Sequence, residues 1–446
     1  MEGRTQRPVM HEERCGVCAV CAGGCPAFVF PDLARETDTK RGVLAQSATA
    51  GRDQSRPPCR AACPLGQDIP GYLARLAAGD QAGALEIILA DNPLPAVLGH
   101  VCHHPCQQAC ASAPIQPAPQ VRELKRYAAL APRPPAPPPA GRARGQAAVI
   151  GSGPAGLMSA WELAKAGVAV TVFEAEPVIG GMLAWAIPPF RLGRQALTDD
   201  LAYIAAHGVK FVSGRRVSPD EVRAMIARGQ GVVLACGAPA ATRADLPGAH
   251  LAGVHWGLDF LKACALGAPP ALAGPVLVVG GGNVALDAAR WALRLTDDVT
   301  LVYRRDRDQM PAYAEEIAEA EAEGLKLAFR LAPTAIAGRE GQVSGLVCQV
   351  TAPGQPGPDG RAAFAPTGAE PVSLVAGRVI LALGQNSEAP AWSDGLGLGQ
   401  FRPGPDGRLA PGLYAAGDLV SGPATVVAAM AQGRAAARAL IEELWP

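Results

Sequence analysis

Two glycine-rich turns constrain this chain more than any other feature. Gly151-Ser152-Gly153-Pro154-Ala155-Gly156 follows an apolar run at 147–150 and opens a helical pattern. Gly280-Gly281-Gly282-Asn283-Val284-Ala285 does the same after a run at 275–279. A second apolar run follows each, at 168–173 and 299–303, so each turn sits in a strand–turn–helix–strand unit. The first glycine permits a tight bend and the second lets backbone approach a pyrophosphate. The third, replaced by Ala285 in the second copy, lets the helix lie close to the strand and point its N-terminus at phosphate. A glycine turn alone is weak evidence. Glu174 strengthens the first, because an acid closing the second strand accepts both hydroxyls of a ribose. The second unit ends instead in Tyr303-Arg304-Arg305. Arginines there suit a 2′-phosphate, favouring NADP over NAD, although Asp306 and Asp308 could offset their charge.

The cysteines add a second kind of chemistry. Nine of the 12 fall in the first 110 residues. Four of them read Cys15-x2-Cys18-x2-Cys21-x3-Cys25-Pro26, the spacing of a bacterial-ferredoxin [4Fe-4S] site. Structural zinc is the alternative, but it prefers two separated pairs or mixed Cys/His sets. Cys59-x3-Cys63-Pro64 and Cys102-x3-Cys106-x3-Cys110 follow, and His103 and His104 are expected to be solvated or to support the ligands from behind, not to be ligands themselves. Cys236, Cys264 and Cys348 stand alone, and no Cys-x2-Cys lies near either glycine turn, so a dithiol relay is not expected. Clusters pass single electrons and nicotinamide passes a hydride, so a flavin must convert between them. FAD is expected at the first turn and NAD(P) at the second.

The remaining sequence bounds the setting. A length of 446 residues, 49% hydrophobic, allows two to four domains. A formal net charge of zero gives no reason to expect nucleic acid or an anionic membrane as partner. The N-terminus lacks an apolar signal core and no run of 18 apolar residues exists, so a cytoplasmic protein without membrane spans is expected. Residues 68–92 read as helix broken at Gly79-Asp80, and the proline run at 132–139 reads as a semi-rigid linker. The chain returns to strand near 378–383 and ends in a helix at 425–444.

Several segments resemble the FAD- and NAD(P)-binding small subunit of bacterial glutamate synthase and its relatives. These are Gly180-Gly181-Met182, Ile187-Pro188-Pro189-Phe190-Arg191, Ala235-Cys236-Gly237-Ala238, Ala382-Leu383-Gly384-Gln385, Gly412-Leu413-Tyr414-Ala415-Ala416-Gly417-Asp418 and Pro423-Ala424-Thr425-Val426-Val427. The resemblance implies an α/β fold: two Rossmann-like dinucleotide-binding domains, the FAD domain split by an inserted NAD(P) domain, behind an N-terminal helical iron–sulfur domain. The implied boundaries are 1–130 for the cluster domain, 131–145 for the linker, 146–255 and 370–446 for the FAD domain, and 256–369 for the NAD(P) domain. It places Glu174 on the adenosine ribose, Arg191 beside the flavin, Asp418 on the ribityl chain or pyrophosphate, and the helix from Thr425 and Val426 at the flavin's pyrimidine edge. Gly181, Met182, Val217 and Gly417 join the flavin set. Gly384 belongs to the segment that carries nicotinamide under the flavin.

The same resemblance implies that Cys63, Cys102, Cys106 and Cys110 hold one cluster. Cys59 would join a second, completed from Cys15, Cys18, Cys21 and Cys25. Nine cysteines serve eight places, so one is spare. The expected role is an oxidoreductase subunit delivering electrons to a partner that carries the substrate site. That partner would be of the aldehyde oxidoreductase type, resembling tungsten enzymes, or of the glutamate synthase type, or a ferredoxin-like subunit. The alternatives are a glutamate synthase small subunit or an electron-wiring module without nicotinamide binding, and the intact Gly280 turn argues against the latter.

Overall fold

The computed structural model describes residues 57–111, 117–136, 143–356 and 362–446. Cys15, Cys18, Cys21 and Cys25 lie outside the described residues.

The first described part is helical. Ile69–Ala77 and Gln81–Asp91 are separate helices because Gly79 takes φ +77° between them. Each starts on an aspartate cap: Asp68 accepts from the Gly71 amide at 3.2 Å, and Asp80 from the Gly83 amide at 2.8 Å. Pro58–Ala62 before them and Pro95–Val101, Pro105–Gln108 and Val121–Ala128 after them complete the bundle. Buried polar contacts fasten the bundle to the rest of the molecule. The buried Asp200 carboxylate accepts from the Val97 amide at 2.8 Å and the Ala96 amide at 3.4 Å, capping Pro95–Val101 from helix Arg194–Ala206. It also pairs with Arg133. Arg434, on the last helix, donates to the Leu65 and Asp91 carbonyls.

Two parallel-rich sheets follow. The first has six strands in the order Arg408–Ala410, Leu413–Ala415, Gly231–Leu234, Gln146–Ile150, Ala169–Phe173 and Lys210–Val212. Helix Pro154–Lys165 covers it, with the C-terminal helix Val426–Leu444 lying across that helix. A Cβ on Gly433 would sit 2.2 Å from the Ala155 carbonyl oxygen, so glycine is what lets the two helices touch. The second sheet has five strands, Val254–Trp256, Arg378–Leu381, Val276–Val279, Val299–Tyr303 and Lys326–Phe329. An antiparallel excursion, Leu331–Arg339 to Val372–Val375, branches from it.

Two of the expected boundaries move. Arg378–Leu381 pairs with Val276–Val279 and Val254–Trp256 in the second sheet, so position 370 does not begin the return to the first. Val254–Trp256, expected before the crossover at 256, belongs to the second sheet as well. The reason is geometric: the antiparallel excursion hands the chain back beside Val276–Val279, where an unpaired strand edge is waiting. Two short crossings connect the sheets, and they hydrogen-bond to each other through Ala240–Ala241 and Gln385–Asn386.

Candidate functional site

One cavity runs between the two sheets. It is lined by the first glycine turn, Glu174, Met182, Arg191, Val217, Cys236 and Asp418, by Asn283, Val284 and Tyr313 from the second unit, and by Val101 from the helical part. Gly181, Gly417, Thr425 and Val426 also face it. The structure therefore brings together nearly all the residues expected to hold flavin.

At the first turn Gly151 adopts φ +108°, and a Cβ there would lie 2.3 Å from the Ala235 carbonyl oxygen. On Gly156 it would lie 2.0 Å from the Gly151 carbonyl oxygen. Gly153 differs: nothing stands within 4 Å of its absent Cβ. That open face, on the N-cap residue of helix Pro154–Lys165, is the room a pyrophosphate needs. Glu174 is buried and accepts from the Ser152 amide at 3.0 Å, the Ser152 hydroxyl at 2.5 Å and the Glu176 amide at 2.9 Å. Its carboxylate is thus locked against the turn it would serve. Asp418 caps a tight segment, accepting from the Ala424 amide at 3.1 Å, and burial raises its carboxyl above the usual range. Thr425 caps the last helix by accepting from the Ala428 amide.

The second turn repeats the pattern. Gly280 adopts φ +145° with the Ala382 carbonyl oxygen 2.5 Å from its absent Cβ, whereas Gly282 has only Pro311 Cγ at 3.9 Å. Gly384, at φ +128°, lies against Thr242. Arg304 is exposed and Arg305 half-buried, and among the described residues neither forms an ion pair. The neighbouring acid is already committed, since Asp306 is held by Arg330 at 2.6 Å. Asp308 is exposed and among the described residues forms no ion pair, so of the two nearby acids only Asp306 is withdrawn from the arginines.

Arg191 holds a surprise. Its Nη1 donates to both Asp287 oxygens at 2.8 and 2.7 Å, and its Nη2 reaches Glu316 at 2.6 Å. It faces the flavin cavity while tying the first unit to the second. Burial pushes the Asp287 carboxyl up to about 6 despite the guanidinium beside it. Sequence reasoning missed Asp287, although it lies one helical turn after Asn283, on the face that meets the cavity.

The cysteines converge at the far wall. Cys59, Cys63, Cys102 and Cys106 all act electrostatically on the hydroxyl of Tyr72. That hydroxyl is fully buried and makes no hydrogen bond. An orphaned donor in the core of Cys106, against which Cys59 and Cys63 rest, fits a sulfide-rich guest. Cys59, placed by resemblance in a second cluster, packs against the same core as Cys63 and Cys106. Among the described residues no three His, Cys, Asp or Glu side chains converge on a single metal ion. A cubane, with its sulfurs at separate corners, makes no such demand. Burial pushes the Cys106 thiol up to about 12, while Lys125 acts in the opposite direction. His103 is not simply solvated: it stacks on Tyr313 with ring centroids 6.0 Å apart. His104 donates its amide to Cys102 Sγ at 3.4 Å, and its ring lies 3.4 Å from Glu315. Cys264 and Cys348 are buried in apolar surroundings and Cys236 lines the flavin cavity. Burial pushes the Cys236 thiol up to about 12, so it is a poor nucleophile at neutral pH.

Comparison with known proteins agrees with this geometry. Residues 145–433 match the model of the pyridine nucleotide-disulphide oxidoreductase family. Residues 34–133 match that of dihydropyrimidine dehydrogenase domain II, 4Fe-4S cluster. The chain is 36% identical to the NADP(+)-dependent formate dehydrogenase subunit beta of Moorella thermoacetica, over 90% of this chain but 62% of that protein. It is 31% identical to the glutamate synthase [NADPH] small chain of Halomonas elongata, over 87% of this chain and 88% of that one. In fold it resembles FprA of Mycobacterium tuberculosis, with a TM-score of 0.58 at 20% identity over 68% of this chain and 85% of the other. The chain spans under two thirds of the length of the Moorella relative; it belongs to the pyridine nucleotide-disulphide oxidoreductase family, is similar to the glutamate synthase small chain, and carries a match to a 4Fe-4S cluster domain at residues 34–133.

Proposed function

We propose that the chain is the electron-input subunit of a cytoplasmic complex, taking hydride from NADPH and delivering single electrons to a partner that holds the substrate site. The observation that carries this reading is the wall shared by the flavin cavity and the cysteines. Val101 lines the cavity and is followed directly by Cys102, while Tyr313 lines the same cavity and stacks on the adjoining His103. A cluster on these thiols would lie one side-chain layer from the flavin. FAD supplies the conversion between two-electron and one-electron transfer.

This chain's own residues do the positioning. Gly153 and Gly282 leave room for the two pyrophosphates. Arg304 and Arg305 favour the 2′-phosphate of NADP(H), in keeping with the NADP in the name of the Moorella relative. The capped N-terminus at Thr425 offers amide hydrogens to the pyrimidine edge, where negative charge grows on reduction. Cys63, Cys102 and Cys106 hold one cluster, with the fourth place taken by Cys59 or Cys110. The Cys15 run serves a second. Among the described residues no helix is long and apolar enough to cross a membrane.

The partner is of the aldehyde oxidoreductase type or another dehydrogenase subunit, and the name of the Moorella relative supports the dehydrogenase part of that reading alone. The glutamate synthase type is the second reading, supported by the Halomonas relative. Anaerobic mixing with NADPH and with NADH decides the donor: faster flavin bleaching by NADPH, then a reduced-cluster EPR signal, is expected. Bleaching without any cluster signal would sink the electron-exit role. Affinity capture of the tagged chain from its own host identifies the partner, and recovery of a glutamate synthase large subunit would overturn the first choice.

A further inference from the structure

Among the described residues of the helical part, the Tyr72 hydroxyl is buried without a hydrogen-bond partner and Lys125 is buried without an ion pair. Tyr72 is 0% exposed, in a core with Ile69, Leu73, Ile88 and Cys106, against which Cys59 and Cys63 also rest. Its hydroxyl has no hydrogen-bond partner. A phenol buried this way is destabilising unless something accepts its proton. The groups that act on it electrostatically are Cys106, Cys63, Cys102 and Cys59.

Lys125 is 4% exposed and, among the described residues, forms no ion pair. It stands on helix Val121–Ala128, four residues after Val121 and three before Ala128. Both belong to the core that contains Cys106, so all three share one helical face. Lysine is almost never so buried without an anion beside it.

We propose that the Tyr72 hydroxyl donates a hydrogen bond to a sulfur of the iron–sulfur cluster held by these cysteines and that, together with Lys125, it raises the cluster's reduction potential. This rests on the reading that the Cys63, Cys102 and Cys106 set carries the cluster. Reduction adds one electron and one negative charge, and no proton need move. A hydrogen-bond donor and a cation next to the sulfurs stabilise the more negative, reduced state. Both groups are positioned by helices that dock on the same core, so their geometry is fixed before the cluster arrives. The functional consequence is a cluster poised to accept electrons from reduced flavin.

The test uses the full chain, purified without oxygen. Iron and sulfide are assayed first, and the midpoint potential is read by EPR during a redox titration. Tyr72→Phe keeps the ring volume and removes only the hydroxyl, and Lys125→Met keeps the length and removes the charge. Both are expected to retain iron and to shift the midpoint to more negative values. The surface changes Tyr127→Phe and Lys326→Met should leave it where it was. Full iron content with a wild-type midpoint in Tyr72→Phe overturns the proposal. Should Tyr72→Phe fail to retain iron, Lys125→Met decides by the same titration, and an unchanged midpoint overturns the proposal there too. Wild-type protein devoid of iron would instead refute the cluster reading beneath it, a result distinguishable at the first assay.

Discussion

Gly153 and Gly282 hold equivalent places, one in each glycine turn, and both face open space where their neighbours Gly151 and Gly280 face a carbonyl oxygen. Substitution should therefore act on the ligand and not on the fold. Gly282→Trp is expected to abolish flavin reduction by NADPH while flavin and iron content stay at wild-type levels. Absorbance at the flavin band and an iron assay check it, and loss of flavin would mean the two sites have been exchanged. The cysteines divide in the same way. Cys106→Ala should remove the cluster yet leave hydride exchange at the flavin intact, because among the described residues no second thiol lines the cavity beside Cys236 to form a dithiol relay. Stopped-flow flavin reduction should be unchanged while turnover of the assembled complex stops; continued turnover would point to direct contact between flavin and partner.

Helix Pro95–Val101 carries Cys102 at its C-terminal end, so what holds its N-terminal end holds the cluster wall. Asp200 does this, and burial pushes its carboxyl up to about 7. The folded state then keeps a proton that the unfolded state has lost near its ordinary value of 3.8. Stability falls as pH rises through that window, from about 4 to about 7. Melting temperatures measured across it should decline in the wild type and flatten in Asp200→Asn. Asp200→Ala removes the acceptor as well, leaving Arg133 and two amides unpaired, and is expected to cost about 3–5 kcal/mol by chemical denaturation.

These are features that sequence patterns reach unevenly. Both glycine turns, both first helices and the break at Gly79 were legible, because a glycine turn between two strands is local chemistry. The partner of Arg378–Leu381 was not, because an apolar run carries no label for the edge it will join. Nor did spacing show that Cys59 and Cys63 would rest against the core that holds Tyr72 and Cys106, the last of these 43 residues after Cys63. Those neighbours are set by how six helices dock. Arg191 was placed at the flavin by resemblance, yet its ion pair with Asp287 depends on how two sheets meet.

That ion pair spans the whole molecule's main division. Arg191 and Asp287 are both buried, and Arg290 extends the network to Glu316 at 2.9 Å and Glu323 at 2.6 Å. Asp287→Ala would leave the Arg191 guanidinium with Glu316 as its remaining carboxylate partner. A loss of about 1–3 kcal/mol is expected, with iron content unchanged and flavin less tightly held, read by thermal melts with and without added FAD.

The split first sheet also sets a timetable for synthesis. Leu413–Ala415 pairs with Gly231–Leu234, made about 180 residues earlier. At about 5–20 residues per second, a ribosome takes on the order of 10–35 s to supply that missing neighbour. Until then the apolar edge of Gly231–Leu234 stays open, the kind of surface that recruits other nascent chains. A message ending before Arg408 should consequently yield insoluble protein, and slowing translation across the second sheet should lower the yield of flavin-loaded enzyme before it affects the iron–sulfur part.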